Sequence, residues 1–143
     1  MAVRNADARW EGTLKEGKGN LKLGSGSFDG QYSFSSRFEE GTGTNPEELI
    51  AAAQAGCYSM QLNAMLERNG TTPNYVHTVA KVHLGKNDAG QNAITQIDLL
   101  TEADVPNISN EDFQKVATEA KAACLIARAL GAVGNITLTA TLK

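Results

Sequence analysis

The segment 44–70, TNPEELIAAAQAGCYSMQLNAMLERNG, constrains this chain most, because it predicts one long helix that is apolar on nearly every side. Asn45 can cap its N-terminus, Pro46 suits the first helical position, and Asn69 followed by Gly70 is typical of a helix end. A soluble protein has to bury such a helix, so we expect it at the centre of the fold. Cys57 lies in its middle.

Alternation of small or apolar residues with polar ones predicts strands on both sides of this helix. The predicted elements before it are a hairpin of 8–14 and 20–23 and a third strand, 31–38, which carries Arg37 near its end. After it come a long hairpin of 75–84 and 94–101, a second helix from Ser109 to Gly131, and a closing strand, 136–142. The order is roughly βββαββαβ. We therefore predict an α+β fold with two helices against an antiparallel sheet, in a single domain, 1–143.

The central helix predicts a homodimer. Its own sheet and the second helix can cover only part of an all-apolar surface. A second copy of the chain can cover the rest, and the run of alanine and glycine between Ala51 and Gly56 permits close approach of two such helices.

Composition excludes some classes of function. The formal net charge is -3 and the basic residues are scattered, which does not favour nucleic-acid binding. The N-terminal residues lack the apolar core of a signal peptide and no window has the length of a membrane span, so we expect a cytoplasmic protein. The two cysteines are then either inert buried thiols or a working redox pair.

Cys57 and Cys124 each fall on the apolar side of a predicted helix, and a disulfide is possible if their Cα atoms come within roughly 7 Å. There is no Cys-x-x-Cys motif, and no histidine lies near either thiol in sequence, which disfavours thioredoxin-like exchange and Cys-His acyl transfer. His77 and His83 make only a weak zinc pattern, so we expect no metal. A reactive Cys57 would need an arginine to stabilise its thiolate, and Arg37 is the best placed.

Several motifs together closely resemble the osmotically inducible protein C (OsmC) family and its relatives, the organic hydroperoxide resistance proteins. The most specific is Gly43-Thr44-Asn45-Pro46-Glu47-Glu48-Leu49-Ile50 running to Cys57. Supporting motifs are Arg37-Phe38-Glu39, the N-terminal Trp10-Glu11-Gly12, the turn Gly17-Lys18-Gly19, and Cys124. The resemblance covers the whole chain.

This resemblance implies a thiol peroxidase that reduces organic hydroperoxides, built as an intertwined homodimer with long central helices. By the same resemblance Cys57 is the peroxidatic cysteine, Cys124 is the resolving cysteine, and Arg37 and Glu47 hold and polarise the thiolate. No bound cofactor is implied; the reductant is an external dithiol of the lipoyl type. The chain departs from the family at Leu125, where proline usually follows the second cysteine. Without that proline, we expect the second helix to run through Cys124.

Helix geometry adds one inference to this resemblance. Glu47 and Cys57 are ten residues apart, or roughly 15 Å along a helix axis. Glu47 therefore cannot serve the thiol of its own chain, and we expect each active site to be shared between two subunits. Two alternatives stay open: a non-catalytic stress or binding protein of the same fold, and a thioesterase that uses an acid or base.

Overall fold

The computed structural model describes residues Met1–Lys143. They form two compact units, 1–49 and 50–143. The elements, in chain order, are β1 (Ala6–Glu11), β2 (Lys18–Leu23), β3 (Asp29–Tyr32), α1 (Phe34–Phe38), α2 (Pro46–Arg68), β4 (Tyr75–Lys86), β5 (Asn92–Asp104), α3 (Asn110–Ala123), α4 (Leu125–Ala129) and β6 (Ile136–Leu142). The predicted α+β class is confirmed. No helix has both the length and the apolar character needed to cross a bilayer.

The first unit contains an antiparallel sheet in the order β1-β2-β3. Its register places Gly19 of β2 between Trp10 of β1 and Tyr32 of β3. A Cβ at Gly19 would come within 2.3 Å of the Tyr32 ring. The absence of that atom lets the rings of Trp10 and Tyr32 meet, with centroids 5.3 Å apart.

The predicted third strand is wrong beyond Tyr32, because the chain turns there into the short helix α1. Ser33 caps it: the Ser33 hydroxyl accepts from the Ser36 N–H at 3.1 Å, and the Ser36 hydroxyl accepts from the Ser33 N–H at 2.9 Å. Phe34 and Phe38 are four residues apart and their ring centroids lie 5.1 Å apart. Phe34 and Phe38, whose spacing suggested one face of a strand, are therefore neighbours on one side of a helix. Arg37 lies on the same helix.

The central helix α2 begins and ends as predicted. The Asn45 side chain accepts from the Glu48 N–H at 2.8 Å. At the other end the Gly70 N–H bonds the Glu67 carbonyl, and the Thr71 N–H bonds the Leu66 carbonyl. Gly70 adopts the left-handed conformation (φ 80°) that this C-terminal motif requires.

Only one side of α2 is fully buried within the chain. That side carries Gln54, Tyr58, Leu62 and Leu66, each with no exposed surface and each four residues from the next. An opposite stripe is exposed and consists of Ala52, Ala53, Gly56 and Met60. Met60 is 76% exposed.

The second unit contains a sheet in the order β4-β5-β6. The predicted hairpin of β4 and β5 is confirmed, and these strands are antiparallel. The expectation of an antiparallel sheet is wrong for β6, which pairs with β5 in parallel. Helices α3 and α4 lie between β5 and β6 in the chain, and such a crossover is what a parallel pair requires.

The predicted second helix is interrupted at Cys124. Ser109 caps α3, accepting from the Asp112 N–H at 3.0 Å, and Phe113, Val116, Ala117 and Ala120 enter the core. Cys124 then takes an extended conformation (φ -63°, ψ 122°), and α4 begins at Leu125. The expectation that the helix runs through Cys124 in the absence of proline is therefore wrong. The physical reason is tertiary: at this junction the Cys124 sulfur meets the Cys57 sulfur of a distant helix at 3.0 Å.

Candidate active site

The two cysteines meet although they are far apart in sequence. Cys57 lies in the middle of α2, and Cys124 lies at the junction of α3 and α4. The Cys124 thiol donates to the Cys57 sulfur across a Sγ–Sγ distance of 3.0 Å, and both thiols are free. Cys124 is completely buried, whereas Cys57 is half-buried. An incoming molecule therefore reaches Cys57 first.

The surroundings of the two sulfurs shift their pKa values in opposite directions. Burial raises the pKa of Cys57, but the Cys124 thiol and the backbone N–H groups of Ile126 and Leu125 outweigh it and leave the pKa below its ordinary value. Burial raises the pKa of Cys124, and its hydrogen bond to Cys57 raises it further, against the N–H groups of Ala127 and Ile126. Of the two sulfurs, Cys57 is accordingly the one that ionises at the lower pH.

The break at Cys124 leaves the first N–H groups of α4 outside the helical ladder and near the two sulfurs. A continuous helix would direct the N–H groups of Leu125, Ile126 and Ala127 to the carbonyls four residues earlier. At the break, the N–H groups of Ile126 and Leu125 lower the pKa of Cys57, and those of Ala127 and Ile126 lower the pKa of Cys124.

Tyr58 joins the two helices that carry the pair. Its ring is fully buried next to Cys57 in sequence, and its hydroxyl donates to the Ala117 carbonyl of α3 at 3.0 Å. Burial and the nearby Cys124 raise the pKa of Tyr58, so its hydroxyl stays protonated and remains a donor. This bond holds α3 against α2 at the turns that set the distance between the sulfurs.

Arg37 and Glu47 form an ion pair within the first unit. The Arg37 Nη2 donates to Glu47 Oε1 at 2.7 Å, and Nε donates to Oε1 at 3.1 Å and to Oε2 at 3.2 Å. Glu47 is buried (8% exposed), while the Arg37 side chain is 41% exposed. The hydrogen bond to Glu47 raises the pKa of Arg37, against a smaller effect of burial. The Nε and Nη2 atoms of the guanidinium are thus fixed on a carboxylate, and its remaining N–H donors are free.

Local bonds between α1 and the start of α2 position this ion pair. The Asn45 side chain donates to the Ser36 carbonyl at 3.1 Å, and the Ser36 hydroxyl donates to the Thr44 carbonyl at 2.8 Å. Arg37 follows Ser36 directly, and Glu47 lies in the first turn of α2. The structure therefore places the predicted site residues as two pairs, Arg37 with Glu47 and Cys57 with Cys124.

His83, part of the weak zinc pattern, pairs instead with a carboxylate. Its Nε2 lies 2.7 Å from Asp98 Oδ2 on the exposed face of the β4-β5-β6 sheet. Asp98 also accepts from the Thr137 hydroxyl at 2.6 Å and from the Gln96 amide at 2.7 Å. This network connects β5 to its neighbours on both sides.

Two features near Cys57 escaped the sequence analysis. Gln54, one helical turn before Cys57, is fully buried, and neither its amide nitrogen nor its amide oxygen has a hydrogen-bond partner. A polar residue on the buried stripe of α2 was the available signal. The N–H donors of Leu125 and Ile126 left no signal, because backbone groups are common to every residue.

Comparisons with known proteins show the family of this chain. A model of the family described as OsmC-like protein matches residues 39–139. The peroxiredoxin OsmC of Escherichia coli (strain K12) is 46% identical over 141 residues, covering 98% of this chain and 96% of that protein.

Solved structures show the same fold at lower identity. An OsmC-like protein of unknown function from Vibrio cholerae superposes with a TM-score of 0.79 at 17% identity, covering 98% of this chain and 99% of the other. The organic hydroperoxide resistance protein OhrB of Bacillus subtilis gives 0.68 at 22% identity, covering 97% and 98%. Because the family model matches most of the chain and the Escherichia coli protein is 46% identical along nearly its whole length, the chain belongs to the OsmC-like protein family.

Proposed function

We propose that this protein is a thiol peroxidase that reduces organic hydroperoxides, with Cys57 as the nucleophile and Cys124 as the resolving thiol. The observation that carries the proposal is the asymmetric sulfur pair: the Sγ atoms lie 3.0 Å apart, the accessible Cys57 has its pKa lowered, and the buried Cys124 has its pKa raised. Membership of the OsmC-like family and the name of the Escherichia coli relative support the same activity.

In the first step, the Cys57 thiolate attacks one oxygen of the hydroperoxide. A sulfur–oxygen bond forms, the oxygen–oxygen bond breaks, and the alkoxide leaves and takes a proton to become the alcohol. Cys57 becomes a sulfenic acid. Arg37 stabilises the negative charge that develops on the departing oxygen, and Glu47 fixes the plane of its guanidinium.

In the second step, the Cys124 thiol condenses with the Cys57 sulfenic acid to give a disulfide and water. A disulfide has its sulfurs about 2.05 Å apart, so the pair needs to close by only about 1 Å from its 3.0 Å separation. This short path favours condensation over a second oxidation of Cys57.

We propose an external dithiol, of the lipoyl type, as the reductant. Cys124 is completely buried, so an external thiolate has to attack the disulfide at Cys57. The second thiol of a dithiol can then displace Cys57 and close a ring on the reductant itself. Such cycling requires a reducing compartment, and we place the protein in the cytoplasm.

We further propose that the active protein is a homodimer with sites shared between subunits. The exposed stripe of α2 supports this: it is apolar, contains Met60 at 76% exposure, and around Gly56 leaves open space where a Cβ would stand. The ten-residue spacing of Glu47 and Cys57 along a helix supports pairing of Arg37 and Glu47 with Cys57 of the other subunit. The substitution Met60→Glu should convert the dimer to monomer in sedimentation velocity; an unchanged dimer would place the interface elsewhere.

Peroxide turnover tests the catalytic roles. Consumption of cumene hydroperoxide and of hydrogen peroxide is measured with a dithiol reductant for the wild type, Cys57→Ser and Cys124→Ser. We expect Cys57→Ser to be inactive, and Cys124→Ser to consume one peroxide and then stop or overoxidise. Unchanged turnover in Cys57→Ser would refute the peroxidase assignment and favour a non-catalytic role.

Complementation tests the shared site. Arg37→Ala and Cys57→Ser are each expected to be inactive as pure dimers. In a mixed dimer, one site combines the intact Arg37 and Glu47 of one chain with the intact Cys57 of the other. Activity should therefore return on mixing after subunit exchange. A mixture that exchanges subunits and stays inactive would contradict sharing.

A further inference from the structure

Gln54 carries a buried amide that packing does not explain. The residue is fully buried, and neither its Nε2 nor its Oε1 has a hydrogen-bond partner. Burying an amide with both atoms unpaired lowers stability, and an apolar side chain on the same stripe of α2 would avoid that loss. A role other than packing therefore has to account for the amide.

Gln54 lies beside the reactive sulfur on α2. It precedes Cys57 by three residues, a spacing that places Cβ atoms on a helix about 5–6 Å apart. Helical side chains lean toward the N-terminus of their helix, so the Cys57 side chain leans over the turn that contains Gln54. The Gln54 side chain is long and flexible, and turning its amide toward the sulfur breaks no hydrogen bond.

A hydroperoxide at Cys57 needs a hydrogen-bond acceptor as well as donors. The oxygen that the thiolate attacks carries an O–H group. The groups with proposed roles in the reaction are mainly donors: the Cys124 thiol already donates to the Cys57 sulfur, and Arg37 serves the departing oxygen. The carboxylate of Glu47 accepts from Arg37 through both of its oxygens. The amide oxygen of Gln54 is a free acceptor.

We propose that Gln54 is a catalytic residue whose Oε1 accepts a hydrogen bond from the O–H group of the hydroperoxide while the Cys57 thiolate attacks the same oxygen. This inference rests on the proposed function. The sulfur–oxygen bond forms, the oxygen–oxygen bond breaks, and the alkoxide leaves with the electron pair and takes a proton from water. The hydrogen stays on the transferred oxygen, so the bond to Gln54 orients the attacked oxygen and persists in the sulfenic acid.

The contact predicts an effect on rate without an effect on substrate choice. Every hydroperoxide has the O–H group, and hydrogen peroxide has it too. Loss of the Gln54 amide should therefore slow an organic hydroperoxide and hydrogen peroxide by the same factor. A residue that contacts the organic group would affect only the former.

Gln54→Met tests the proposal, because methionine keeps the unbranched shape of glutamine and lacks the amide oxygen. Leu62→Met is the matched control. Leu62 lies on the same buried stripe of α2, and its replacement repacks the stripe without removing a polar group. Gln54→Leu also lacks the acceptor and gives the measurement if Gln54→Met does not fold.

The reduced proteins are treated at one pH with cumene hydroperoxide, with hydrogen peroxide and with iodoacetamide, and single-turnover loss of the Cys57 thiol is followed. Iodoacetamide reports the amount and accessibility of the thiolate without any peroxide. We expect Gln54→Met to react about fivefold more slowly with both peroxides, as for the loss of one hydrogen bond, and at the wild-type rate with iodoacetamide. Leu62→Met should match the wild type with all three reagents.

Four outcomes would overturn the proposal. They are an unchanged peroxide rate in Gln54→Met, an equal decrease with iodoacetamide, an equal decrease in Leu62→Met, and a decrease with only one of the two peroxides. The second of these would mean that the variant has lost thiolate and that the role of Gln54 is structural. A wild-type Cys57 that reacts with iodoacetamide and with neither peroxide would instead refute the proposed function, and this inference with it.

Discussion

The ion pair between Arg37 and Glu47 is open to a stringent test with Glu47→Gln. Glutamine keeps the shape and one acceptor oxygen of Glu47, but it removes the charge and presents an N–H₂ group to the guanidinium. The bond of 3.2 Å to Oε2 is then lost, and the bonds of 2.7 and 3.1 Å to Oε1 remain possible but no longer end on a charged carboxylate. Glu48→Gln is the matched control: Glu48 lies in the same first turn of α2 and bonds Thr44 instead of Arg37.

The magnitude follows from the exposure of the two partners. Breaking a fully buried pair costs about 3–5 kcal/mol, whereas exposed pairs contribute about 0–1 kcal/mol. Glu47 is 8% exposed but the Arg37 side chain is 41% exposed, so solvent screens the pair and the lower range is appropriate. We expect Glu47→Gln to lose about 1 kcal/mol of unfolding free energy relative to Glu48→Gln.

The same loss applies to peroxidation if the pair orients Arg37 toward the reacting oxygen. A deficit of about 1 kcal/mol corresponds to a second-order rate constant about fivefold lower. Urea denaturation measures the stability, and single-turnover loss of free thiol with cumene hydroperoxide measures the rate. Equal stability and equal rate in Glu47→Gln and Glu48→Gln would refute the reasoning.

Three further substitutions test two buried polar residues near Cys57 and one carboxylate on the exposed face of the second sheet. Gln54→Leu replaces a buried amide that has no hydrogen-bond partner, and we expect it to raise the free energy of unfolding in urea by about 1–3 kcal/mol. A lower free energy of unfolding would mean that the amide has a hydrogen-bond partner in solution. Tyr58→Phe removes the hydroxyl bonded to the Ala117 carbonyl and should lower the free energy of unfolding by about 1 kcal/mol. A similar decrease in the exposed control Tyr75→Phe would contradict a specific role for the Tyr58 hydroxyl. Hydrogen bonds from Thr137 and then His83 lower the pKa of Asp98, so its contribution to stability is complete above its ordinary pKa of about 4 and is lost as pH falls through the folded-state value. Asp98→Asn should therefore lose less stability than the wild type between pH 7 and pH 3, and an equal loss in both proteins would exclude this carboxylate.

Predictions from the sequence succeeded where a short stretch of chain determines the structure. The bounds of α2 follow from the Asn45 cap and the Asn69-Gly70 ending, and both act within one turn of the helix end. The hairpin of β4 and β5 follows from alternation around a turn. The strand predicted for 34–38 failed because Phe34 and Phe38 fit a strand face and a helix face equally, and the capping box of Ser33 and Ser36 decided for the helix.

The sequence by itself determined the α+β class, the apolar central helix with Cys57 in its middle, and the family through its motif from Gly43 to Cys57. Only the tertiary structure decided the parallel pairing of β6, the break at Cys124 and the order of the two thiol pKa values. The physical reason is common to the last two. The Cys57 sulfur comes from a helix that is distant in sequence, and no local pattern reveals its contact with Cys124 at 3.0 Å or the opposite pKa shifts of the two thiols.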